Sequence, residues 1–164
     1  MESPASKQIY SYALRALTRR AHTSYELKQK LRTRPGCTAS IADQVIARLK
    51  EQRFLDDEEY VRRAVEHAVT YRLEGLSRLI HRLFAKGIPS DETRAMWRSM
   101  NIDENALAQK VLDKWGKRFA NLEPHERHQK SLALLQRRGL QPQFPLPNQI
   151  KGHRISSQND LEIQ

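Results

Sequence analysis

Leu31, Leu83 and Leu135 stand 52 residues apart, and each is followed four or five positions later by a glycine and an apolar residue: Gly36-Cys37, Gly87-Ile88 and Gly139-Leu140. A basic residue closely precedes each glycine: Arg34 (with Pro35 between), Lys86 and Arg138. Unit starts match as well, since Leu55-Asp56-Asp57 corresponds to Ile102-Asp103-Glu104. Self-similarity at such a period marks a stacked array rather than one globule. Glycine stops and Asp or Ser caps occur in any helical protein, so the order of these signals carries the reading. A three-helix unit of roughly 50 residues is marginal alone and gains by stacking on a neighbour.

Between these marks the chain reads as helix throughout. The first helix is expected over Lys7 to Arg20, with Tyr10, Ala13, Leu14 and Leu17 on one stripe. The second follows Thr23, which forms a capping box with Glu26 and carries Leu27 and Leu31 inward. A third starts at a Ser40 cap supported by Asp43 and buries Ile41, Val45 and Leu49. Asp56 caps a fourth, with Tyr60, Ala64, Ala68 and Tyr71 on its apolar stripe. The fifth has the cleanest periodicity, Leu76, Leu79, Ile80, Leu83 and Phe84. Ser90 caps a sixth, Asp103 opens a seventh, and Glu123-Pro124 opens an eighth that ends at Gly139. Trp97 and Trp115 are expected as core anchors.

The fold class is therefore all-α: tandem three-helix repeats forming an elongated curved array. Repeat 1 covers 7–53, repeat 2 covers 54–101, and a partial repeat 3 of two helices covers 102–140, lacking its last helix. Residues 141–164 read as a flexible tail, Pro-rich and then polar, because Pro142, Pro145 and Pro147 forbid a helix.

Lys and Arg number 29 against 19 Asp and Glu, a net charge of +10 with a pI near 10.0. Such an excess speaks of polyanionic partners. No run approaches the roughly 18 apolar residues of a membrane span, and the first 20 residues are too charged for a signal peptide. A cytoplasmic monomer is the expectation. Cys37, the single cysteine, reads as an inter-helix packing residue in the place that Ile88 and Leu140 take elsewhere.

The basic residues fall in rows. Arg15 and Arg19 project from the first helix, and Lys28, Lys30, Arg32 and Arg34 line the second. Arg78, Arg82 and Lys86 recur opposite the leucines of the fifth, Lys110, Lys114 and Lys117 sit on the seventh, and Arg137 and Arg138 close the eighth. One such row serves mainly to solvate a helix face. Several together, under this net charge, suit phosphate neutralisation, and all of these residues are candidate partner- or nucleic-acid-binding positions. The acids Asp56 to Glu59 read as a helix N-terminus rather than a contact patch. Tyr10, Tyr60 and Tyr71 read as core, while Tyr12 and Tyr25 stay open as base-stacking candidates. His125 and His128 lack further ligands at metal spacing, and neither a metal, a cofactor nor a catalytic set is expected.

The ordered set of Tyr12-Ala13-Leu14-Arg15-Ala16-Leu17, Ser24-Tyr25-Glu26-Leu27-Lys28-Gln29-Lys30-Leu31, Phe54-Leu55-Asp56-Asp57-Glu58-Glu59-Tyr60, Gly75-Leu76-Ser77-Arg78-Leu79-Ile80, Lys86-Gly87-Ile88 and Leu134-Leu135-Gln136-Arg137-Arg138-Gly139-Leu140 resembles the RecX family. That family comprises regulatory proteins of the RecA recombinase. The resemblance implies tandem three-helix repeats without cofactor or catalytic residues. It also implies binding in the groove of a RecA–single-stranded-DNA filament, with inhibition of ATPase, strand exchange and SOS activity. Single-stranded and also double-stranded DNA are implied partners; no membrane is. The departure is the unfinished third repeat. From charge alone, the competing reading is an autonomous helical DNA- or RNA-binding protein without a recombinase target.

Overall fold

A computed structural model describes residues 4–141. The tail expected over 141–164 lies outside these, Gln141 excepted. The described residues form α-helices and contain no strand. In order they are α1 (Pro4–Arg19), α2 (Ser24–Arg32), α3 (Ala39–Glu51), α4 (Asp57–His67), α5 (Leu76–Phe84), α6 (Ser90–Ser99), α7 (Glu104–Trp115) and α8 (Pro124–Arg137). A π turn, Ala68–Arg72, extends α4, and a 3-10 turn, Gly116–Phe119, follows α7.

Helix starts follow local chemistry. The Thr23 hydroxyl accepts from the Glu26 amide at 3.1 Å, and the Glu26 carboxylate accepts from the Thr23 amide at 3.3 Å, so the capping box is complete. Asp56 accepts from the Glu59 amide at 2.9 Å, and Asp103 caps α7 through the amides of Asn105 and Ala106. Two expected caps are corrected. Thr38, not Ser40, caps α3, accepting from the Ile41 amide at 3.2 Å; extended backbone at Thr38 right after the Gly36 turn aims its hydroxyl at the first free amides, and Ser40 falls inside the helix. Ser90 is the first residue of α6, with Pro89 at the cap and no side-chain cap bond. α1 starts at Pro4 rather than Lys7, since proline is well tolerated in a first helical turn.

Two apolar clusters hold the fold. α1, α2 and α3 enclose Ile9, Ala13, Ala16, Leu27, Leu31, Val45, Leu49 and Leu55 among others. α4 to α8 share a second cluster, running from Val61 and Val65 through Leu79, Leu83, Ile88 and Trp97 to Val111, Leu135 and Leu140. Tyr10, Leu14 and Leu17 are half-buried flanks, because α1 turns Ile9, Ala13 and Ala16 inward instead. On α4 the core side is Val61, Val65 and Ala68, and Tyr60 and Ala64 lie beside it. Tyr71, expected in the core, is 72% exposed. The π turn inserts extra backbone at residues 68–72 and carries it off the stripe. Phe84 is 69% exposed, because α5 closes with the Ile88 amide bonded to the Leu83 carbonyl and Ile88 takes the core position. Trp97 is buried, whereas Trp115 is half-buried against the second cluster. Cys37 is likewise half-buried against the first, and burial pushes its thiol pKa up.

Candidate partner-binding surface

Which cations a partner can reach depends on how the helical units join. At the first joint the Thr23 hydroxyl donates to the Lys86 carbonyl at 2.6 Å, and Tyr25 lies against Gly87 so closely that a Cβ there would stand 2.3 Å from the tyrosine Cβ. The Lys86 ammonium reaches back to Glu26 at 3.3 Å and donates to the Tyr60 hydroxyl at 2.6 Å. The Ser24 amide donates to Asp57 at 2.7 Å, and Lys50 pairs with the same carboxylate at 3.0 Å. At the second joint the Gly75 amide donates to the Arg138 carbonyl at 2.7 Å. Arg78 donates to the Arg137 carbonyl at 2.7 Å, and Arg138 donates to the Arg72 carbonyl at 2.9 Å while lying 3.7 Å over the Trp115 ring. Thr23 and Gly75 are 52 residues apart, as are Lys86 and Arg138. The two joints pair equivalent positions, through a side-chain hydroxyl in the first and a backbone amide in the second.

These joints consume one of the predicted rows. Arg82 is half-buried and pairs with Glu74, donating from its Nε at 3.0 Å; Glu74 is 3% exposed and also faces Arg78 at 3.7 Å and Arg72 at 3.9 Å. Arg78, Arg82 and Lys86 thus bind the protein to itself. Tyr25 lies against Gly87 on one side and is still 50% exposed. Lys28 pairs with Asp43, and Lys114 and Arg138 both lie against Trp115.

Elsewhere the structure gathers predicted residues. Arg15 of α1 and Arg34 from the end of α2 line one cleft of about 530 Å³, with Lys7 and Tyr12, and the Arg34 guanidinium sits 4.2 Å over the Tyr12 ring. Arg19, Arg32, Lys110, Lys117 and Arg137 are exposed, and Lys30 is half-buried. Sequence reasoning missed Arg94 and Arg98, exposed at i, i+4 on α6, although that spacing was visible. It also missed Arg53, whose left-handed backbone (φ 58°) follows only from the end of α3. Among the described residues no helix is long and apolar enough to cross a membrane, and no three metal-ligating side chains converge.

The first joint carries the titratable groups with shifted pKa. Burial pushes the Asp57 carboxyl up, but hydrogen bonds from Ser24 and Lys50 outweigh it and hold it below its ordinary 3.8. Burial likewise opposes the Thr23 amide and Lys86 at Glu26, and again the partners prevail, below 4.5. Depressed carboxylates stabilise the fold above their unfolded pKa and lose that contribution as pH falls through the folded one. Urea midpoints should therefore drop below about pH 4. Asp57→Asn should lower the midpoint at neutral pH, with its difference from the parent closing as pH falls below the ordinary aspartate range. A constant difference across that range would assign Asp57 no role in acid unfolding.

The regulatory protein RecX of Salmonella heidelberg (strain SL476) is 30% identical over 123 residues, covering 69% of this chain and 74% of that protein. The chain belongs to the RecX family. A family model of the first three-helix domain of RecX matches residues 10–49, within the α1–α3 unit. The regulatory protein RecX of Mycobacterium sp. (strain JLS) is 33% identical over 90 residues, 55% of this chain and 49% of that protein. The chain thus spans about half the length of the mycobacterial relatives it matches. The crystal structure of RecX from Lactobacillus salivarius superimposes with a TM-score of 0.72 over 84% of this chain and 89% of that one, at 19% identity. A second RecX crystal structure gives 0.73, over 84% of this chain and 69% of that one, at 21% identity. The all-helical RecX fold is shared along most of the described chain.

Proposed function

We propose that this RecX-family chain regulates a RecA recombinase by lying lengthwise along the RecA–single-stranded-DNA filament and lowering its ATP hydrolysis and strand exchange. The observation that carries the reading is the twice-made joint. It pairs equivalent positions at one sequence spacing, which suits a target that is itself periodic. The three units, 7–53, 54–101 and 102–140, would span neighbouring filament subunits. The cleft cations Arg15 and Arg34, with Arg19, Arg32, Lys110, Lys117 and Arg137, would meet acidic protein surface or the enclosed DNA. Arg78, Arg82 and Lys86 would set the spacing between units instead of touching the target.

The test is single-stranded-DNA-dependent ATP hydrolysis by the cognate recombinase. Hydrolysis should fall as the chain is added, and Arg15→Ala with Arg34→Ala should shift the inhibition to higher protein concentration and flatten its salt dependence. Unchanged hydrolysis at saturating protein sinks the proposal. The charge excess also suits an autonomous DNA or RNA binder. Equal affinity for bare and recombinase-coated strands at physiological salt would favour that alternative.

A further inference from the structure

The first joint leaves an open cleft of about 430 Å³ between the α1–α3 unit and α4, within the range of ligand sites. One side is the half-buried flank of α4 beside the core, Tyr60 and Ala64, continued by exposed His67, whose ring lies 5.3 Å from that of Tyr71. From the other side come Arg53 and Phe54 of the α3–α4 turn and His22 of the α1–α2 turn. Phe54 is the extra residue of that turn, since Arg53-Phe54-Leu55-Asp56 stands where Asn101-Ile102-Asp103 stands between α6 and α7. Leu55 enters the core as Ile102 packs against its own, and Phe54 is left 58% exposed. His22 is only 4% exposed, and its buried Nδ1 has no hydrogen-bond partner. Such orphans are rare and point to a missing partner.

We propose that this cleft binds a protein segment offering one carboxylate beside one large apolar side chain. The charge surrounding the cleft selects the carboxylate. Asp56 and Glu59 line the cleft but are spent, Asp56 on the cap of α4 and Glu59 on Arg62 and Arg63. Arg53 is exposed and forms no ion pair among the described residues. Burial, then Arg20 and Lys30, lower the His22 pKa, with Glu26 opposing them and Lys86 adding to the effect. The imidazole is therefore neutral in a positive field. An entering carboxylate would answer Arg53 beside the His22 ring, while the apolar side chain covers Phe54, Tyr60 and Ala64. A nucleic-acid strand suits the cleft less well, because its repeated phosphates need a row of cations and the cleft offers one without an ion pair, Arg53. The site does not require the filament reading, and its test uses no recombinase.

The test is amide proton–nitrogen correlation NMR of the full chain, titrated with acetyl-Gly-Asp-Leu-Gly-amide. The peptide should shift the Arg53–Asp57 and Tyr60–His67 amides and the His22 ring nitrogens. Exchanging its Asp for Asn, or its Leu for Ala, should weaken binding about tenfold. Phe54→Ser should do the same, as should Arg53→Gly, which suits the left-handed backbone and so keeps the fold. Shifts confined to other surfaces, equal binding of the Asn peptide, or tighter binding of oligothymidylate at the same amides would each overturn the proposal.

Discussion

Glu74→Gln is expected to destabilise the folded chain by about 3 kcal/mol, because breaking one partner of a buried ion pair leaves the other charge unanswered. Glu74 is almost wholly buried, and three guanidinium groups, Arg82, Arg78 and Arg72, converge on its carboxylate. The amide keeps the shape but removes the charge and turns an N–H₂ toward donors. The surrounding elements cannot relax easily, since Gly75 is pinned to the Arg138 carbonyl next door. Urea unfolding at neutral pH measures the loss. Adding Arg82→Met to Glu74→Gln should recover part of it by removing the half-buried cation left behind. A loss below about 0.5 kcal/mol would mean that the arginines are satisfied by water, as in an exposed pair. The outcome bears on function as well. If Glu74 holds these arginines, a binding defect in an Arg82 variant reports a loosened joint before it reports a lost contact.

What could be read in advance was whatever a few neighbouring residues decide. The Thr23–Glu26 box, the Asp56 and Asp103 caps and the glycine ends at Gly87 and Gly139 involve side chains and amides within one turn, and they form as expected. Leu79 and Leu83 of α5 point inward for the same reason. Tyr71 and Phe84 failed because a π turn and a helix end interrupt the period the reading relied on. The fate of the cations was least legible. Lys86 is bound by Glu26, 60 residues earlier, and nothing local distinguishes it from a solvated lysine such as Lys110. Glu74 did leave a trace, as the one acid between His67 and Ser90, set among Arg72, Arg78 and Arg82. A lone carboxylate amid three arginines signals an internal partner. The meeting of Arg15 with Arg34 had no such trace, since it depends on how α1 lies against the turn that follows α2.

Two glycine substitutions separate the joint from the helix stop. Gly75→Ala should cost about 3 kcal/mol, the upper end of ordinary overpacking. Its new Cβ would lie 2.3 Å from the Gly139 carbonyl oxygen and 2.7 Å from the carbonyl carbon, and backbone cannot step aside by changing rotamer. Relief would require the start of α5 to part from the end of α8, breaking the bond from the Gly75 amide to the Arg138 carbonyl and opening the second apolar cluster near Leu140. Gly36→Ala should cost only about 1 kcal/mol, the penalty of a left-handed alanine, because its φ is +75° but nothing lies within 4 Å. The reason for the difference lies in Pro35. With one more residue between Leu31 and Gly36, the Cys37 amide bonds to the Arg34 carbonyl, whereas Ile88 and Leu140 bond back to Leu83 and Leu135. The end of α2 therefore closes in a different turn and leaves the space beside Gly36 open. Equilibrium unfolding of the two variants decides the matter. Equal losses would mean that these glycines only stop helices, and the 52-residue spacing would then measure helix lengths rather than a joint.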